Sequence, residues 1–112
     1  MRKNVVCHLY IEGFHRWEQA PEHLKFLSYK HRHIFVIRVK FSVQDNNREI
    51  EIIETQKKIK DFIKRRFGVN DEVCDFGNMA CEDIAELIIN EFNAESAEVL
   101  EDGFGGAELV RQ

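Results

Sequence analysis

His31 and His33 stand two residues apart in a stretch, His31 to Val43, whose odd positions continue as Phe35, Ile37, Val39, Phe41 and Val43. Side chains two apart on a strand point to the same side, about 6.6 Å apart along it. Zinc–nitrogen bonds of about 2.0–2.1 Å let two such imidazoles converge on one ion. Both histidines occupy the apolar parity, where a ring without a partner is costly. The competing reading is a pair of ordinary strand histidines satisfied by their neighbours. His15 shifts the balance, because it follows the first strand on the same parity as Cys7, Leu9 and Ile11. If the first two strands pair, the three rings meet near one end of the sheet. Three neutral imidazoles with one position open form a catalytic-type zinc arrangement, although another divalent metal fits the same donors. Against this, a histidine beside Trp17 in a loop is commonplace.

Glu101 is the second chemical feature. It shares parity with Ala97 and Val99, so it should face inward at a strand end. An inward carboxylate needs a partner. The paired N–H donors on the edge of a flat heterocycle, such as a purine or pterin, would satisfy both oxygens. A salt bridge to Arg38 or Arg111 would do so equally well. Cys74 and Cys81 are possible nucleophiles without a local signature. The three cysteines form no C-x-x-C pair, and reduced thiols are expected.

The elements that must position these residues follow from periodicity. Asn4 to Gly13 alternates as a strand. Residues 14 to 30 hold the only proline, Pro21, and read as a loop that could include one helical turn. His31 to Val43 is the clearest strand. Asp45-Asn46-Asn47 signals a turn, after which Arg48 to Ile53 alternates and should complete a hairpin. From Thr55, a plausible N-cap, Ile59, Phe62, Ile63 and Phe67 fall at helical spacing, and Gly68 should stop the helix. Lys57, Lys60 and Lys64 read as its solvated face. Residues 69 to 78 read as a loop. Asn78 could cap a second helix carrying Ile84, Leu87 and Ile88 inward, with Glu82 and Asp83 at the positive end of its dipole. Ala97 to Glu101 and Ala107 to Arg111 read as two short strands. Strands and helices are segregated, so the expected class is α+β with a mainly antiparallel sheet.

The 112 residues, 1–112, suffice for a single domain. Hydrophobic residues make up 44% and charged residues 32%, and the chain holds nine Phe, which together argue for a packed core. The formal net charge of −4 weakens a nucleic-acid reading, since phosphate binding needs clustered positive charge. No apolar run approaches the length of a membrane span, and Met1-Arg2-Lys3-Asn4 leads straight into a strand-like pattern. A cytoplasmic protein without nucleic-acid or membrane partners is therefore expected. The open edges of such a sheet call for pairing or cover.

With these residues in place the sequence resembles the 6-pyruvoyltetrahydropterin synthase and 6-carboxytetrahydropterin synthase family along nearly its whole length. Gly13-Phe14-His15-Arg16-Trp17 is similar to the A-H-R-L segment that ends the family's first strand. His31-Arg32-His33-Ile34-Phe35 stands for the H-G-H motif that opens its long strand. Met79-Ala80-Cys81-Glu82-Asp83-Ile84-Ala85 loosely resembles P-T-x-E-x-x-A, and Val99-Leu100-Glu101-Asp102 resembles V-x-E-T. The resemblance implies zinc on His15, His31 and His33, with Glu101 anchoring a pterin- or purine-like ring. It also implies the tunnelling fold, a four-stranded antiparallel sheet with two helices on one side. Such subunits assemble into a homo-oligomer, here a trimer or a hexamer of stacked trimers, with active sites at subunit interfaces.

The departures bear on activity. The family's catalytic Cys precedes H-G-H, where this chain has Phe26-Leu27-Ser28-Tyr29-Lys30. Its L-D-H segment is missing, since residues 69 to 78 contain no His, and Arg32 replaces the motif Gly. Metal and ring-anchor positions match while the proton-transfer machinery does not. The expectation is a divergent zinc protein taking a purine-, pterin- or nucleotide-like molecule, either as a metal-assisted lyase or hydrolase or as a sensing or sequestering protein without turnover. A structural oligomer with a vestigial His cluster is the third reading.

Overall fold

Alternation with a period of two runs through the first strand and sets the geometry of everything else. The computed structural model describes residues 1–112. In it β1 (Lys3–His15) buries Cys7, Leu9, Ile11 and His15 and turns the intervening side chains the other way. Strand β2 (His31–Val43) runs antiparallel to β1 along its full length, pairing Leu9 with Ile37 and His15 with His31. A short 3-10 helix (Glu22–Ser28) occupies the intervening loop.

Helix α1 (Ile52–Phe67) buries Ile59, Phe62 and Ile63, and α2 (Cys81–Phe92) buries Ile84, Ala85, Ile88 and Ile89. These side chains form one cluster with Cys7, Leu9, Ile11, Phe35, Ile37, Val39, Ala97 and Val99 from the sheet. Both helices therefore cover the same sheet face, α1 over β1 and α2 over the strands β4 (Ser96–Glu101) and β5 (Gly105–Val110). Burial of such apolar surface is the main drive to this packing. The opposite sheet face carries no layer and exposes Val6, Tyr10 and Val110.

The class is α+β, as expected, but the sheet is not purely antiparallel or four-stranded. Its order is β3-β1-β2-β4-β5. Strands β1, β2, β4 and β5 form the antiparallel set, and β3 (Val73–Asp75) adds a short parallel edge beside Glu12–Phe14. Those residues lie in the segment expected to be loop, and three residues are too few for a periodicity to show.

The expected strand Arg48 to Ile53 is absent, because α1 starts at Ile52. The Glu51 carboxylate accepts from the backbone N–H groups of Ile53 and Glu54, capping the helix a turn before Thr55. Glu49 closes the preceding turn by accepting from Gln44 and Asp45. Gly68 ends α1 as expected, and glycine is required there because a Cβ would collide with the Lys64 carbonyl oxygen. The α2 N-cap is Ala80 rather than Asn78. Asp83 reaches back to the Ala80 N–H, while Asn78 accepts from Glu18 and ties down the loop after β1.

Candidate metal centre

The strand register brings the three histidines together. His15 closes β1 directly opposite His31, which opens β2, and His33 lies two residues further along the same face, opposite Gly13. Ring centroids are 4.5 Å apart for His15–His31, 5.0 Å for His31–His33 and 5.2 Å for His15–His33. One ligand nitrogen from each lies within 4.8 Å of the other two. His15, His31 and His33 are thus close enough to hold one metal ion. Phe35 forms the floor, edge-on to His15 at 5.2 Å and to His33 at 5.7 Å. Its own position, fully buried against Phe76, keeps those two rings upright.

Each imidazole is oriented through its Nδ1. His15 Nδ1 lies 3.0 Å from the Met79 carbonyl oxygen, and His31 Nδ1 lies 2.9 Å from that of Tyr29. A carbonyl can only accept, so both rings carry their proton on Nδ1. His33 Nδ1 meets Asp102 Oδ2 at 2.7 Å, while Asp102 Oδ1 accepts from the Ile34 N–H at 2.8 Å. The hydrogen bond to His33 is the largest cause holding the Asp102 carboxyl below its usual range. The Nε2 lone pairs are left for an ion, which is the support that metal-ligating histidines ordinarily have. Burial pushes the His15 pKa down, against the Met79 and Glu101 contacts, and favours the neutral ring a metal requires.

The structure tests the fit of a cation directly. His15 Nε2 and His33 Nε2 are both buried and neither makes a hydrogen bond. Both face Glu101, with His15 Nε2 at 3.1 Å from Oε2 and His33 Nε2 at 3.4 Å from Oε1. Lone pairs aimed at a carboxylate repel unless a positive charge lies between them. The donor set therefore suits a divalent ion.

Glu101 faces this cluster as its parity requires, and neither suggested arginine takes it. Arg38 lies 3.6 Å from Glu98, and Arg111 Nε donates to the Ala94 carbonyl. Beside the histidines a cavity of about 460 Å³ is lined by His15, His31, Glu101, Arg16, Trp17 and Cys81 among others. Arg16 Nε is buried there without a hydrogen-bond partner.

The cysteines do not act as ready nucleophiles. Cys74 is buried under the sheet edge with its pKa raised by desolvation. Cys81 Sγ donates to Glu101 Oε2 at 3.7 Å, and burial followed by the Glu101 charge pushes its pKa up to about 12. It is a thiol at neutral pH. Sequence reasoning missed the Met79 and Tyr29 carbonyls, Cys81's contact and Asp102. Only Asp102 left a signal, as an acidic residue following Glu101 at a turn.

No protein-family model matches this sequence, and no curated protein matches it.

Proposed function

We propose that this protein binds zinc or a related divalent ion on His15, His31 and His33 and takes a flat, nitrogen-rich small molecule, a pterin, purine or nucleotide-like compound, in the adjoining cavity. The observation carrying this is the set of three histidines whose Nδ1 atoms are all tied to acceptors while their Nε2 atoms are left for one ion. When bound, such an ion polarises a substrate oxygen or lowers the pKa of a water. Glu101 supplies acceptor oxygens for a ring's N–H edge, and Arg16 supplies a guanidinium for an anionic substituent. The chemistry that fits is a metal-assisted lyase or hydrolase step. The resemblance to the pterin-synthase family agrees with this ligand class, and the altered residues 26–30 argue against that family's standard turnover.

A second reading, sensing or sequestration of the same ligand class, is favoured by a specific observation: the one thiol in the cavity, Cys81, is buried and engaged with Glu101 rather than free to attack a ligand. In either case we place the protein in the cytoplasm as a homo-oligomer, trimeric or hexameric. The open edges of the sheet at β3 and β5 call for pairing or cover and support assembly. No helix is long and apolar enough to cross a membrane.

Elemental analysis of protein purified without a histidine tag should find metal approaching one ion per chain, lost in the His31→Ala/His33→Ala double variant. Calorimetry against pterins, purines and nucleotides should then find a ligand that needs the metal. Metal retained in full by the double variant rejects the site.

A further inference from the structure

The Glu101 carboxylate lies against the histidine nitrogens themselves. Its two oxygens divide between two rings, Oε2 toward His15 Nε2 at 3.1 Å and Oε1 toward His33 Nε2 at 3.4 Å. Tetrahedral zinc with ordinary Zn–N and Zn–O bonds separates neighbouring ligand atoms by about 3.3–3.5 Å. The His33–Glu101 separation is that of neighbouring ligands around a common ion, the His15–Glu101 separation is slightly tighter, and neither nitrogen is hydrogen-bonded. Strand β4 sets this arrangement: Glu101 pairs with Phe35 on β2, one same-face position beyond His33.

We infer that Glu101 is a fourth ligand to the ion, closing its coordination shell while the cavity holds no small molecule. The inference rests on the three-histidine metal reading above and changes what that site does at rest. A shell closed by four protein ligands activates no water. It opens only when Glu101 leaves, and two features let it leave. Its side chain is 35% exposed toward the cavity, and its other partner is a single weak thiol donor, Cys81. A ligand carrying adjacent N–H donors and an oxygen satisfies both ends of the exchange. The donors take over the carboxylate, and the oxygen takes the vacated coordination position. This selects heterocycles bearing an N–H edge beside an oxygen-bearing substituent and masks the metal from water otherwise.

The test uses the full-length chain and the metal alone. Zinc affinity is measured by competition with a chromophoric chelator, and cobalt(II) is loaded as a spectroscopic substitute. Glu101→Gln, nearly isosteric, should lower zinc affinity at least by the roughly 10–100-fold typical of disturbing a metal site's support. It should also alter the cobalt d–d absorption as water replaces the carboxylate. Glu101→Asp, which keeps a carboxylate, should fall between the two and retain more of the wild-type spectrum. Unchanged zinc affinity together with an unchanged cobalt spectrum in Glu101→Gln overturns the inference and leaves the three-histidine site standing. Wild-type protein that binds neither metal overturns both.

Discussion

Asp102→Asn isolates the control of a single proton. Asp102 closes the turn after β4 with φ of 56°, a left-handed conformation that asparagine also tolerates, so the backbone should hold. The carboxylate accepts twice, from His33 Nδ1 at 2.7 Å and from the Ile34 N–H at 2.8 Å. An amide has one acceptor oxygen and one donor group. If the asparagine oxygen stays with Ile34, its NH₂ points at His33 Nδ1, which must then accept. The ring proton moves to Nε2 and the lone pair that would hold the ion is gone. If the oxygen stays with His33, two donors oppose each other at Ile34, and the start of β2 loosens. The first arrangement damages the metal site directly, and the second blurs its geometry. Loss of such support costs roughly 10–100-fold in metal affinity. Chelator competition with zinc at fixed pH measures it. Asp102→Gly, which removes both acceptor contacts but eases the left-handed turn, should lose affinity with a smaller effect on fold stability. Folded Asp102→Asn protein that binds zinc as tightly as wild type would refute the reasoning, since His33 would then hold its tautomer without Asp102 or would not be a ligand.

Two further expectations concern the frame around the site. Phe35→Ala removes a fully buried ring that supports both His15 and His33, and should cost about 3–5 kcal/mol in denaturant unfolding while weakening metal binding. A stability loss without any effect on metal would show that the rings do not depend on that floor. Lys30 pairs with Asp75 and fastens the segment before β2 to β3. That contact, ahead of the Gly77 N–H, holds the Asp75 pKa below its ordinary value. The folded-state pKa is thus lower than the unfolded one. The contribution is present in full above the ordinary carboxylate range and is lost as pH falls through the folded pKa. The stability gap between wild type and Asp75→Asn should be widest near neutrality and close in acid, and an equal gap at both ends in urea titrations would assign it to packing.

The histidines were legible because parity is a local property with long reach. Cys7, Leu9 and Ile11 fix which way His15 points, Phe35 to Val43 fix His31 and His33, and one antiparallel pairing then leaves the rings little choice but to meet. Glu101 was readable in the same way, as an inward position on a short strand. What could not be read depends on where one segment ends against another. The Glu51 cap outweighed the apparent alternation of Ile50 and Ile52, because two hydrogen bonds to backbone donors begin a helix that two residues in step cannot oppose. Strand β3 exists by virtue of Glu12–Phe14 beside it rather than by any pattern in Val73–Asp75. The state of the metal site turns on a still less local matter, the protons on its imidazoles. Those are set by a carbonyl just ahead of β2, a carbonyl just ahead of α2 and a carboxylate after β4. Sequence spacing can bring three nitrogens to one place. Whether each presents a lone pair or a proton there is decided by residues no spacing rule connects to them, and for His33 that residue is Asp102.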